Sequence, residues 1–227
     1  MGCPGVVIAS GRDKLLLALQ PEIADEIDRL LRRSARLACL IIDDIPEAES
    51  SDSFHRGWGR SAMWDRYAER HAGACFVFDL ACLAELAHEA PPLRHRNMFI
   101  SRRVRYLDQA LQLPIEGYFA SREEVRIGLG QDSAWERAIG HLYLTKNRDW
   151  ASEREWRLVK LIWNPEPAEQ DAPVQVALED SLLAVVFGEH HPSPRLIASA
   201  VRAERGDAAR EFARCFWTAG APLIEPL

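Results

Sequence analysis

The chain has 227 residues, 48% of them apolar and 27% charged, and a formal net charge of −6. This is ordinary globular composition, and the length suits a single domain over 1–227 with a substantial core. The longest apolar runs, Leu37–Ile42 and Leu182–Phe187, are too short to cross a bilayer, and Met1–Ser10 lacks the basic start of a secretory leader. A cytoplasmic protein with no membrane segment is expected, and the mixed, net acidic charge does not indicate nucleic acid as a partner.

Five cysteines (Cys3, Cys39, Cys75, Cys82 and Cys215) are odd in number and widely spaced, with no Cys-x-x-Cys pair. Free, buried thiols are the expectation rather than a disulfide framework or a zinc site.

The first 36 residues are read as a helical segment. Asp13–Leu19 is short and leucine-rich, and Pro21 sits at a helix start with Glu22, Asp25 and Glu26 in the early turns. Leu37–Ile42 is a strand-length apolar run that opens the core of the domain, 37–227. Asp43–Arg60 reads as a long loop. A helix over Ser61–His71, with Gly73 as its stop, leads into a buried strand Ala74–Phe78 and a helix Leu80–His88.

A strand follows over Met98–Tyr106, then a helix capped by Ser133 with Trp135, Ile139 and Leu142 on one face. Strands over Glu155–Trp163, Val174–Leu178 and Leu182–Phe187 are separated by the proline-rich connector Asn164–Pro173. Ser193 and Pro194 mark the cap and first residue of a late helix. The pattern predicts an α+β fold, a mixed and mostly antiparallel sheet flanked by helices. The four strands Leu37–Ile42, Ala74–Phe78, Glu155–Trp163 and Leu182–Phe187 are expected in that one sheet.

Two segments stand out chemically. In Met63-Trp64-Asp65-Arg66-Tyr67-Ala68-Glu69-Arg70-His71-Ala72-Gly73, helical spacing puts Trp64, Tyr67 and His71 on one face. In Thr145-Lys146, continued through Trp150 to Glu153-Arg154-Glu155-Trp156-Arg157, a strand starting near Glu153 puts Glu153, Glu155 and Arg157 on one face. Acidic groups at a strand mouth orient a ribose hydroxyl or steady a developing cation; the plain alternative is an ion network with the neighbouring arginines. Arg94, Arg96, Arg102, Arg103 and Arg105 form the richest basic patch, read as a solvated face. His190-His191 suits an exposed turn, so no metal site is expected.

The two segments, with Val185-Val186-Phe187-Gly188 ahead of a Ser-Pro helix start, resemble the bacterial domain of unknown function numbered 2971. The family pattern begins with a strand bearing Tyr or His, which this chain replaces with its helical segment. An edge strand so lost would invite pairing, so a homo-oligomer or a protein partner is expected.

Glu153-x-Glu155 entering a strand is similar to the Glu-x-Glu element of ADP-ribosyltransferases. That resemblance implies an ADP-ribosyltransferase-like fold, with NAD as substrate. It gives Glu155 and Glu153 catalytic roles, and Trp64, Tyr67, His71 and Arg157 roles in binding substrate. The competing expectation is a non-catalytic binding or regulatory module of a bacterial defence or toxin system, marked by a buried Glu155–Arg157 ion pair with no cavity, where the enzyme would show a pocket holding Glu155 and an aromatic.

Overall fold

Leu158, Val159, Leu161 and Ile162 are each at most 4% exposed, which is the mark of a strand buried on both faces. They belong to β6 (Glu155–Leu161) and its end, the middle strand of a three-stranded sheet with β1 (Ala35–Ile41) on one side and β3 (Met98–Arg103) on the other. β3 and β6 are antiparallel, from Met98 opposite Leu161 to Arg103 opposite Trp156. The structure, a computed structural model, describes residues 25, 33, 35–43, 53–91, 98–108, 142–162, 172–178, 181–205 and 211–227. Among the expected elements, Asp13–Leu19, most of the Pro21 and Ser133 helices and most of the Asn164–Pro173 connector lie outside these residues.

The chain divides into two compact units, one of residues 1–40 and 88–175, the other of 41–87 and 176–227. Its architecture is α+β with mixed sheets.

In the first unit the expected strand Met98–Tyr106 is two strands. β3 ends at Arg103, and buried Val104 donates its N–H to the Glu155 carbonyl at 2.9 Å. The chain then turns into β4 (Arg105–Leu107), which runs parallel to β5 (Thr145–Asn147). Lys160, in the apolar middle of β6, is only 5% exposed. Its ammonium donates to the backbone carbonyls of His88 and Ala90, and burial holds its pKa below the ordinary lysine value.

The second unit is built on a four-stranded sheet in the order β2 (Ala74–Phe78), β7 (Leu182–Phe187), β8 (Glu211–Thr218), β9 (Ala221–Pro226). β7 and β8 are parallel and joined through a helix, here α3 (Pro194–Arg205), because parallel neighbours need a crossover. The helix starts at Pro194, as Ser193-Pro194 predicts. Alternation along β7 sends Val185 and Phe187 to a cluster with Ala198 and Phe212, and Val186 to one with Trp64 and Cys215. Helix α2 (Leu80–Glu89) starts behind Asp79, whose carboxylate accepts from the Cys82 N–H at 3.0 Å. Asp43 anchors the return of the long loop, accepting from the Gly57 N–H at 2.7 Å and from Arg56 at 2.8 Å.

Several expectations are corrected. The four strands expected in one sheet fall in two: Ala35–Ile41 and Glu155–Leu161 in one, Ala74–Phe78 and Leu182–Phe187 in the other. Apolar content identifies buried strands but carries no information about which of them pair. Val174–Leu178 is not a strand: Val174 and Val176 are half-buried between exposed neighbours, with no ladder partner among the described residues.

The helix expected over Ser61–His71 is α1 (Ser61–Tyr67). After it Glu69, Arg70 and His71 take φ of 48°, 54° and 69°, a left-handed run that costs L-residues roughly 1–2 kcal/mol each. Contacts from outside the turn hold it. The His71 carbonyl accepts the His190 N–H at 3.0 Å, and Gly188 donates to the Gly73 carbonyl at 3.0 Å. Gly188 is packed so closely here that an added Cβ would lie 2.1 Å from the His71 carbonyl oxygen.

Candidate functional site

β5, the 3-10 turn Arg148–Glu153 and β6 together build one polar cluster in the first unit. Asn147 opens the turn by accepting the Asp149 N–H at 2.9 Å. Arg154 closes it in the left-handed conformation, φ 45°. Glu153 is therefore the last residue of a helical turn, not the first of a strand as expected, and strand alternation does not bring it beside Glu155. Lys146 does so instead. Its ammonium contacts the Glu153 carboxylate and lies 3.3 Å from Glu155 Oε2.

Arg157, two residues along β6, shares a face with Glu155 and grips it with both ends of its guanidinium. Nε to Oε1 is 2.7 Å and Nη2 to Oε2 is 3.2 Å, while Nη1 donates to the Tyr143 carbonyl. The side chains of Glu153 and Glu155 are only 3% and 6% exposed. The Tyr106 hydroxyl accepts the Glu155 N–H at 2.8 Å. Trp156, on the opposite face, donates to Ser101 Oγ at 2.8 Å.

Burial alone would raise the Glu155 pKa. Hydrogen bonds from Arg157 and Cys39, with the charges of Arg157 and Lys146, outweigh it and hold the carboxyl below its ordinary value. Lys146 is the converse: burial would lower its pKa, and the two glutamates raise it. Tyr106 is raised, chiefly by burial. Partial withdrawal of the sulfur from solvent, and the Glu155 carboxylate beside it, push the Cys39 thiol up to about 11.

These directions fix a pH dependence. A depressed carboxyl contributes stability above the ordinary value of 4.5, which is lost as pH falls through the lower folded value. A raised ammonium contributes below 10.5 and loses that contribution as pH rises through the higher folded value. Unfolding free energy measured by urea titration is expected to hold between these limits. Its alkaline decline should shrink in Lys146→Met; an unchanged decline would contradict the pairing.

Trp64, Tyr67 and His71 belong to the second unit. Trp64 is 2% exposed and donates its indole N–H to the Trp58 carbonyl at 2.7 Å. His71 stacks on it with ring centroids 6.0 Å apart and meets Trp217 edge-on at 4.8 Å. The left-handed turn, not helical spacing, brings His71 to Trp64. Tyr67 points away and is 63% exposed. His71 Nε2 lies 3.6 Å from Asp65, and buried Nδ1, which makes no hydrogen bond, lies 4.0 Å from Glu189.

Beside this turn a cleft of about 350 Å³ is lined by Glu189, His190, Arg214, Phe216 and Glu225. Sequence reasoning missed this cleft, along with the roles of Lys146, Tyr106 and Cys39. The signal for Lys146 was its place at the head of the second motif. Cys39, Cys75, Cys82 and Cys215 are free thiols; Cys39 is exposed rather than buried, because it lies on an edge strand. Arg102, Arg103 and Arg105 are exposed, and Arg94 and Arg96 lie outside the described residues. Among the described residues no group of three His, Cys, Asp or Glu side chains is placed to hold a metal, and no helix is long and apolar enough to cross a membrane.

Residues 63–158 match the family described as Protein of unknown function (DUF2971), so this stretch carries that family's pattern. The span starts at the first motif and ends within the second; Val185–Gly188 lies beyond it. No curated protein and no solved structure matches the chain.

Proposed function

We propose that this chain, a DUF2971 protein over its central stretch, is a non-catalytic binding module in which the Glu153–Glu155–Lys146–Arg157 network holds the fold together. The observation that carries the reading is the buried, two-pronged ion pair between Glu155 and Arg157. A carboxylate that steadies an oxocarbenium ion must face the ribose and keep its charge for the transition state. Glu155 has both oxygens engaged by cations and almost no exposed surface. Glu153 is likewise held by Lys146.

One observation favours the ADP-ribosyltransferase reading instead. The Lys146 ammonium that bridges the two carboxylates lies 4.9 Å over the ring of Trp150, which is 39% exposed, so the swing of the lysine side chain would release Glu153, while Glu155 stays paired with Arg157. Incubation of the intact protein with NAD separates the two. The binding-module reading expects no nicotinamide release and no dinucleotide binding by calorimetry. Release above the buffer rate that Glu155→Gln abolishes would establish the transferase. The expected protein partner or second copy belongs to the same proposal, supported by the exposure of Leu37 (43%) on the edge strand β1.

A further inference from the structure

Arg214 is out of balance with its surroundings. It stands on β8, opposite Phe187 of β7 and Glu225 of β9. One terminal nitrogen donates to the Glu189 carbonyl; Nε makes no hydrogen bond and is sealed from solvent, so a ligand meets the guanidinium through its terminal nitrogens. Among the described residues no carboxylate lies within ion-pairing distance of Arg214, although Glu189 and Glu225 line the same cleft. A partly buried guanidinium without a counter-charge is costly, and such groups ordinarily have an anion or acceptor as partner.

The cleft lies at the carboxyl end of β7: β7, α3 and β8 form a parallel crossover unit within an otherwise antiparallel sheet, and Glu189 and His190 immediately follow that end. The cleft, about 350 Å³ and largely open to solvent, is at the small end of the range of roughly 300–1,000 Å³ that holds low-molecular-weight ligands. Its wall carries three kinds of chemistry: the cations or donors Arg214 and His190, the carboxylates Glu189 and Glu225, and the Phe216 ring. A bare anion such as phosphate would meet two carboxylates, and a bare cation would meet the guanidinium. A molecule carrying both charges satisfies both sets.

We infer that this cleft binds a small zwitterion of the α-amino-acid class, with its carboxylate on Arg214, its ammonium on Glu225 and on Glu189, whose carboxylate lies 3.7 Å from His190 Nε2, and an apolar side chain against Phe216. The inference rests on the binding-module reading and supplies its ligand. Its test is separate from the dinucleotide assay, so an inert dinucleotide with no amino acid bound would sink only the ligand.

The test is calorimetric titration of the intact chain with each apolar L-amino acid, followed by the N-acetyl and methyl-ester forms of the tightest binder. One saturable site is expected. Arg214→Gln and Glu225→Gln should each weaken binding at least tenfold, the first also matching the loss with the ester and the second the loss with the N-acetyl form. Glu225 is exposed, so its variant leaves the core intact even where Arg214→Gln disturbs folding. No saturable binding at millimolar amino acid would overturn the inference. So would binding that is indifferent to Glu225→Gln and to both derivatives, or phosphate binding as tightly as the amino acid.

Discussion

Glu155→Ala is expected to lower the stability of the chain by about 3–5 kcal/mol, since removing one partner of a buried pair strands the other. Two cations are stranded here: Arg157, which loses both of its carboxylate bonds, and Lys146, which keeps only Glu153. Glu155→Gln should cost less, because its amide oxygen still accepts one bond. Both losses are read as shifts of the urea midpoint with an unchanged slope. A Glu155→Ala protein as stable as the parent would mean that the network is an exposed decoration and not a support.

Trp64→Ala is expected to cost about 3–5 kcal/mol, the range for emptying a buried aromatic site. The ring fills the space between Val186 and Cys215 of the sheet, and the Trp58 carbonyl would lose its donor. The effect should reach the left-handed turn, because the stacked Trp64 ring is one wall of the His71 site. Loss of protection at the His190 amide, which donates to the His71 carbonyl, would report that spread in hydrogen exchange. Normal protection there would show that the turn holds itself without Trp64.

Elements whose signal is local were legible. Ala74–Phe78, Leu182–Phe187, the helix from Leu80 and the start at Pro194 depend on apolar runs and capping residues that a single sequence displays. Elements decided by distant contacts were not. The helix after Ser61 stops at Tyr67, not His71, because Gly188 and His190 pull the next residues into a left-handed turn.

The β8–β9 hairpin carries no familiar turn signal. Its two-residue turn, Ala219-Gly220 with φ of 52° and 81°, uses alanine where asparagine or aspartate would have announced it. Without those two strands, nothing in the sequence argued for a second sheet. The second motif is chemically distinctive in the sequence, and the structure gathers Glu153, Glu155 and Arg157 in one cluster. Strand periodicity accounts for Glu155 and Arg157 but not for Glu153, which reaches the cluster through Lys146 from an intervening turn. The Arg214 cleft has no sequence signature, because its residues come from two strands, β8 and β9, and the loop after β7.

In the proposed module Glu155 and Arg157 act as a structural pair. A double-mutant cycle in unfolding free energy, with Glu155→Gln, Arg157→Gln and the two combined, measures this directly. Residues in direct contact within one network couple by roughly 0.5–3 kcal/mol, and the upper part of that range is expected for a buried two-pronged pair. Single losses that add to within about 0.5 kcal/mol, as they do for independent sites, would show that the two side chains do not act as a pair.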